Sequence, residues 1–161
     1  MPTNNITLEE IAAFFREGDN FQLLCHKRPD GDTLGSALGL MRALQHMGKT
    51  VYISCAHVLA ANNRFLFEDE EILVDRDYGD VTLVAVDVAS LSLLGELEEY
   101  YGDRIALKID HHEMGDDYAE RNYVDASAAA CGEIVYEIVK LLGTPLEVSA
   151  EPLYAALSSD T

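Results

Sequence analysis

Val81-Thr82-Leu83-Val84-Ala85-Val86-Asp87 is apolar at almost every position and stops at a carboxylate. A strand with one wet face alternates polar and apolar residues, whereas an unbroken apolar run is expected where helices cover both faces of a parallel sheet. Two other runs repeat the pattern: Phe21-Gln22-Leu23-Leu24-Cys25 stops at His26, and Ile105-Ala106-Leu107-Lys108-Ile109 stops at Asp110-His111-His112. Each buried strand therefore ends in groups that bind protons or metals. Val51 to Cys55 reads as a further strand and Ile72 to Val74 as a short edge strand.

Helical signals lie between them. Thr7-Leu8-Glu9-Glu10 is a capping box opening a helix that ends near Gly18, and apolar spacing predicts a helix from Thr33 to about Gly48. The segments His57 to Phe67, Leu91 to Tyr101, Ala128 to Leu142 and Ala150 onward read as helices as well, with a polar loop reaching to about Tyr123. Asp125 reads as a turn or cap before the Ala-rich helix. The fold class is α/β: a mostly parallel sheet with helices on both faces. Such sheets bind ligands outside the carboxyl ends of their strands, which would gather His26, Asp87 and Asp110 on one rim.

With 161 residues and 48% hydrophobic composition, the chain suffices for one domain with a proper core. Its 11 basic and 29 acidic residues give a formal charge of -18, which excludes an exposed basic groove for nucleic acid and binding to an anionic membrane. Cys25, Cys55 and Cys131 are odd in number, widely spaced and in apolar surroundings, as expected of reduced core thiols. Neither a leader-like start nor a run of membrane-spanning length is present, so the expected location is the cytoplasm.

The loop after the first strand, His26-Lys27-Arg28-Pro29-Asp30-Gly31-Asp32-Thr33-Leu34-Gly35-Ser36, carries three potential metal ligands within seven positions. Imidazole with carboxylate suits manganese, zinc or iron better than calcium. A polar turn with Asp30 capping the next helix would explain the loop equally well on its own. The downstream partners decide between them: Asp87, Asp110, His111, His112 and Asp160 add to the set. Two carboxylates about 4 Å apart repel by roughly 4 kcal/mol at an effective dielectric near 20. Lys27, Arg28 and Lys108 read as too few and too flexible to compensate, whereas two divalent cations add four positive charges in place. His46 and His57 have no carboxylate at ligand spacing, and Glu68-Asp69-Glu70-Glu71 reads as solvated charge.

These motifs resemble the DHH phosphoesterases, a family that includes RecJ-like exonucleases, nano-RNA and pAp phosphatases, cyclic-dinucleotide phosphodiesterases and family II inorganic pyrophosphatases. The stretch from His26 to Ser36 is similar to the first family motif, Asp87-Val88-Ala89-Ser90 to the second, Asp110-His111-His112 to the third and Asp160-Thr161 to the start of a fourth. The resemblance implies a Rossmann-like three-layer architecture and two divalent ions, manganese in first place. His26 and Asp30 would hold one ion, Asp32, His111 and Asp160 the other, and Asp87 would bridge them. His112 would face the scissile phosphate, and Asp110 and Ser36 would support the ligands from behind. Arg28 reads either as a contact to substrate phosphate or, in so acidic a domain, as a solvated or ion-paired side chain.

The implied activity is hydrolysis of phosphodiester or phosphomonoester bonds in short oligonucleotides, pAp-like nucleotides or linear dinucleotides. Inorganic pyrophosphatase activity and a catalytically inactive nucleotide-binding module are the alternatives. Residues 1–161 would form the catalytic DHH domain, a smaller C-terminal domain that grips substrate being expected beyond Thr161, and a homodimer is left open. A metal-free dinucleotide-binding domain is disfavoured because no G-x-G-x-x-G follows the first strand.

Overall fold

The computed structural model describes residues 6–56, 72–73 and 79–160, without the side chains of 72, 73 and 160. The helix expected at 57–67, with His57, and the acidic run at 68–71 lie outside the described residues. The elements are α1 (Leu8–Glu17), β1 (Phe21–Leu24), α2 (Gly31–His46), β2 (Val51–Ser54), β3 (Ile72–Leu73), β4 (Thr82–Val86), α3 (Leu97–Tyr101), β5 (Ile105–Asp110), β6 (Arg121–Val124), α4 (Cys131–Leu142) and α5 (Ala150–Asp160). The strands form one sheet in the order β3-β2-β1-β4-β5-β6, and every pairing is parallel. The winding reverses between β1 and β4, so the crevice outside their carboxyl ends is where such a sheet accepts ligands.

Two layers cover the sheet. On one face Phe21, Leu23, Val84, Val86, Leu107 and Ile109 pack against α1, α2, α4 and Leu153 of α5. On the other, Leu24, Leu83, Ala85 and Ile105 meet Leu94 of a 3-10 turn (Leu91–Leu94) and Leu97 of α3. Ile105 faces the opposite layer from Leu107 despite sharing its parity. The pairing steps from Leu83 opposite Ile105 to Val84 opposite Leu107, so Ala106 is an extra residue that reverses the alternation. Beyond this bulge, Lys108 sits opposite Ala85, whose side chain belongs to the second layer.

The structure departs from the expected elements in instructive ways. β6 was expected to be loop, because Arg121-Asn122-Tyr123-Val124 lacks an apolar run; it is the short edge of the sheet and needs only one paired side. The expected helix at 91–101 divides at Gly95, whose φ of 63° no helix continues through. α4 begins at Cys131 rather than Ala128, because Asp125 accepts from the Ser127 backbone and hydroxyl and forms a turn first.

Helix α5 returns antiparallel along α2. A Cβ on Gly35 would lie 2.3 Å from the Pro152 carbonyl oxygen, and one on Gly31 would lie 2.8 Å from Ser159 Cβ. The end of α5 thus arrives beside the loop that carries Asp30 and Asp32. Gly35→Ala is therefore expected to force the two backbones apart and destabilise the fold by about 1–3 kcal/mol. Gly39→Ala, which would press only on the tip of Leu153, should cost less. Thermal denaturation of the two variants tests the order.

Candidate metal centre

The parallel sheet delivers its candidate ligands from strand ends. His26 lies two residues beyond β1, Asp87 immediately follows β4, and Asp110 closes β5. Asp87 adopts a left-handed backbone, φ 65°, while its N–H donates to the Ile109 carbonyl at 2.8 Å. Non-glycine residues in this region carry a modest strain, which carboxamide and carboxylate side chains tolerate better than others.

Three histidines surround Asp87, His26 beside Oδ2 and His111 and His112 beside Oδ1, with His112 Nδ1 at 3.7 Å. His26 Nε2 is 3.8 Å from Asp87 Oδ2 and 3.6 Å from Asp30 Oδ1; His111 Nε2 is 3.5 Å from Asp87 Oδ1 and 3.4 Å from Asp32 Oδ2. Both rings are oriented from behind in the same manner, with Nδ1 donating to the carbonyl of Lys27 at 2.8 Å and of Ala128 at 3.3 Å. A backbone acceptor on Nδ1 makes Nε2 the candidate coordinating nitrogen. Among the described residues, two groups have metal-ligand geometry: His26 with Asp30 and Asp87, and Asp87 with His111 and His112. They share Asp87. Imidazole nitrogens and carboxylate oxygens converging from both sides on one carboxylate fit divalent transition ions.

The carboxylates are anchored to backbone dipoles. Asp30 caps α2, accepting from Thr33 N at 2.9 Å, so the capping role and proximity to His26 coexist. Asp32 is wholly buried and accepts from Cys131 N at 2.9 Å, Gly132 N at 3.0 Å and Ser36 Oγ at 3.2 Å. It thus satisfies the start of α4, whose own N-cap residue is Ala130 and supplies no side-chain bond. Sequence reasoning missed this contact; Ala128-Ala129-Ala130, a helix entry with no capping side chain, was its available signal. Thr33 Oγ1 donates to Val86 O at 2.8 Å and fixes α2 to the end of β4.

His112 is 45% exposed at the rim, with Nδ1 2.6 Å from Asp110 Oδ1. Its ring centroid is 4.5 Å from that of His111. Arg28 is exposed in the loop, with φ 51°. Asp160 ends α5, whose preceding residue lies against Gly31; its side chain is outside the described residues. Lys108, expected to be flexible, is instead 1% exposed. A lysine in the middle of a buried parallel strand was the signal for it. Cys25, Cys55 and Cys131 are buried free thiols, and burial first, with nearby acidic groups second, raises the Cys131 thiol well above its ordinary range.

A family model, DHH family, N-terminal domain, matches residues 20–158. The chain belongs to the DHH family. This DHH domain is 34% identical over 140 residues to the bifunctional oligoribonuclease and PAP phosphatase NrnA of Thermus thermophilus, covering 84% of this chain and 41% of that protein. In structure it is similar to an exopolyphosphatase-related protein from Bacteroides fragilis, with a TM-score of 0.85, 20% identity, and coverage of 96% of this chain and 49% of that one. It is also similar to exonuclease RecJ in its manganese-bound structure, with a TM-score of 0.60, 17% identity, and coverage of 100% and 44%. The chain spans about half the length, or less, of the curated relatives it matches. No helix among the described residues is long and apolar enough to cross a membrane.

Burial alone would make His26 harder to protonate, but the Asp30 carboxylate, the Lys27 carbonyl and the charge of Asp32 outweigh it and raise its pKa above 6.5. Burial likewise works against the Asp30 charge, and His26 with the Thr33 N–H overcomes it and lowers that carboxyl below 3.8. In the metal-free domain the Asp30 contribution to stability is lost as pH falls through its lowered value, and the His26 contribution as pH rises through its raised one. A metal at His26 must displace the proton. Affinity for Mn2+ should therefore fall as pH drops from about 8 to about 6, with protons released on binding, and His26→Gln should flatten that dependence. Calorimetric titration in buffers of different ionisation enthalpy measures both.

Proposed function

We propose that this DHH domain hydrolyses phosphate esters of short oligoribonucleotides and pAp-like nucleotides with two divalent cations, Mn2+ foremost. The observation that carries this reading is the placement of Asp87, whose two oxygens face different histidines, each backed by its own aspartate. His26, Asp30 and Asp87 would hold one ion, and Asp87, Asp32, His111 and Asp160 the other. The similarity to a bifunctional oligoribonuclease and PAP phosphatase supports the substrate class.

Bound cations would supply Lewis acidity toward phosphoryl oxygen and a water acidified enough to act at neutral pH. The protein's own residues arrange the rest. His26 and His111 keep Nε2 as acceptor because Nδ1 is committed to backbone carbonyls. Asp87 leaves β4 in a left-handed backbone conformation that sets its carboxylate between them, one oxygen toward each. His112, with Nδ1–H held by Asp110, presents an exposed ring that accepts or donates a proton at Nε2 beside the substrate phosphate. Arg28 supplies a positive charge at the mouth. With a net charge of -18, the domain as a whole repels a polyanion, so productive binding depends on the cations and on short substrates.

In the full-length protein, Asp87→Ala should abolish Mn2+-dependent turnover of pAp and of a linear diadenylate; retained turnover would reject the bridging role. His112→Gln should lower kcat by about 10²–10⁴-fold while Mn2+ binding is kept. Pyrophosphate assayed in parallel sets the substrate class: hydrolysis of it alone would replace the nucleotide reading.

A further inference from the structure

Met114 is 83% exposed, more than any other large apolar side chain among the described residues. One apolar residue in water is ordinary on a protein surface. What sets this one apart is where its loop lies and how firmly that loop is held. Met114 follows His112 by two positions, a span of at most about 7 Å. It precedes Gly115, whose Cα packs against the Ala89 carbonyl in the turn just after Asp87. The residue therefore stands at the rim of the candidate metal centre.

Hydrogen bonds fix this loop to the end of the sheet. Asp116 N donates to Ala89 O at 2.9 Å, and the Tyr118 hydroxyl donates to Val88 O. Lys108 Nζ joins the two segments, donating to Ala89 O at 3.1 Å and to Asp116 O at 2.8 Å. Val88, Ala89 and Lys108 are themselves buried, so the anchor is the sheet rather than another surface loop. A Cβ on Gly115 would lie 2.6 Å from Ala89 O, which leaves the backbones no room to separate a side chain. The thioether thus projects from backbone already ordered by folding, and a ligand laid on it requires little further ordering.

The charges of the loop decide which part of a substrate it can meet. Glu113, Asp116 and Asp117 are exposed acids, and no lysine or arginine lies between His112 and Arg121. Such a loop repels phosphate and accepts an uncharged group. In a nucleotide that group is the base, one ribose away from the phosphate beside His112. An unbranched side chain with a polarisable sulfur makes favourable contacts with aromatic rings. We propose that Met114 is the nucleobase contact, a specificity-determining residue that separates nucleotides from inorganic and sugar phosphates. The proposal rests on the phosphoesterase reading and adds to it the group that receives the base.

The Met114 methyl signal reports the contact directly in the full-length protein with 13C-methyl-labelled methionine and Mg2+, assigned by its loss in Met114→Ala. Saturating AMP should move it upfield through the ring current of the base, and ribose 5-phosphate, which lacks the base, should leave it in place. Met114→Ala should raise KM for pAp and linear diadenylate by about 2- to 10-fold, the effect falling on KM rather than kcat, and Met114→Leu should recover most of the loss. A methyl signal unmoved by saturating AMP, or an unchanged KM for pAp in Met114→Ala, overturns the proposal and leaves the phosphoesterase reading standing. A wild-type protein that turns over neither pAp nor diadenylate rejects that reading, and the base contact falls with it.

Discussion

Mutual repulsion among carboxylates drawn to one edge of a sheet is the constraint on which this structure depends. Asp30, Asp32, Asp87 and Asp110 all converge where the parallel strands end, and each is answered within its own surroundings. Asp30 caps α2 and Asp32 receives the first N–H groups of α4, so two helix dipoles absorb two of the charges. Asp110 has the Lys108 ammonium near one oxygen and the His112 ring on the other. Asp87 is held between His26 and His111, whose Nε2 atoms lie 3.8 and 3.5 Å from its two oxygens.

That division of labour explains why the helices sit where they do. α2 leaves the first strand through the ligand loop, and Thr33 binds it to the end of β4. α4 is aimed so that its first turn meets a side chain from α2 rather than a cap of its own. α5 lies so close to α2 that only glycine fits at position 35, and its end consequently reaches the same loop. The polar geometry of the rim and the apolar packing of the first layer are therefore one arrangement. A shift of α2 would misplace Asp30 and Asp32 together.

Much of this was legible in the residues themselves. Buried strands declared themselves as apolar runs, and the groups closing them, His26, Asp87 and Asp110-His111-His112, mark the rim in the sequence alone. What remained hidden were relations between distant segments. Nothing local to Ala128-Ala129-Ala130 says that its helix is capped by Asp32, and nothing around Ile105 announces the bulge that reverses the facing of β5. Lys108 was misread as flexible because its neighbours were weighed as sequence rather than as a strand buried on both faces. β6 escaped because an edge strand of four residues need not be apolar.

The cap that Asp32 provides has a consequence for how the protein is made. Its partners Cys131 and Gly132 lie 99 and 100 residues away, and the Ser149 hydroxyl that donates to Gly39 O lies 110 residues from its acceptor. Contacts of such separation form late, after the entropy of closing a long loop has been met. On the ribosome, the ligand loop emerges early but stays without its helix-start partner until α4 has been synthesised. A half-made chain therefore exposes an acidic loop in place of the finished rim.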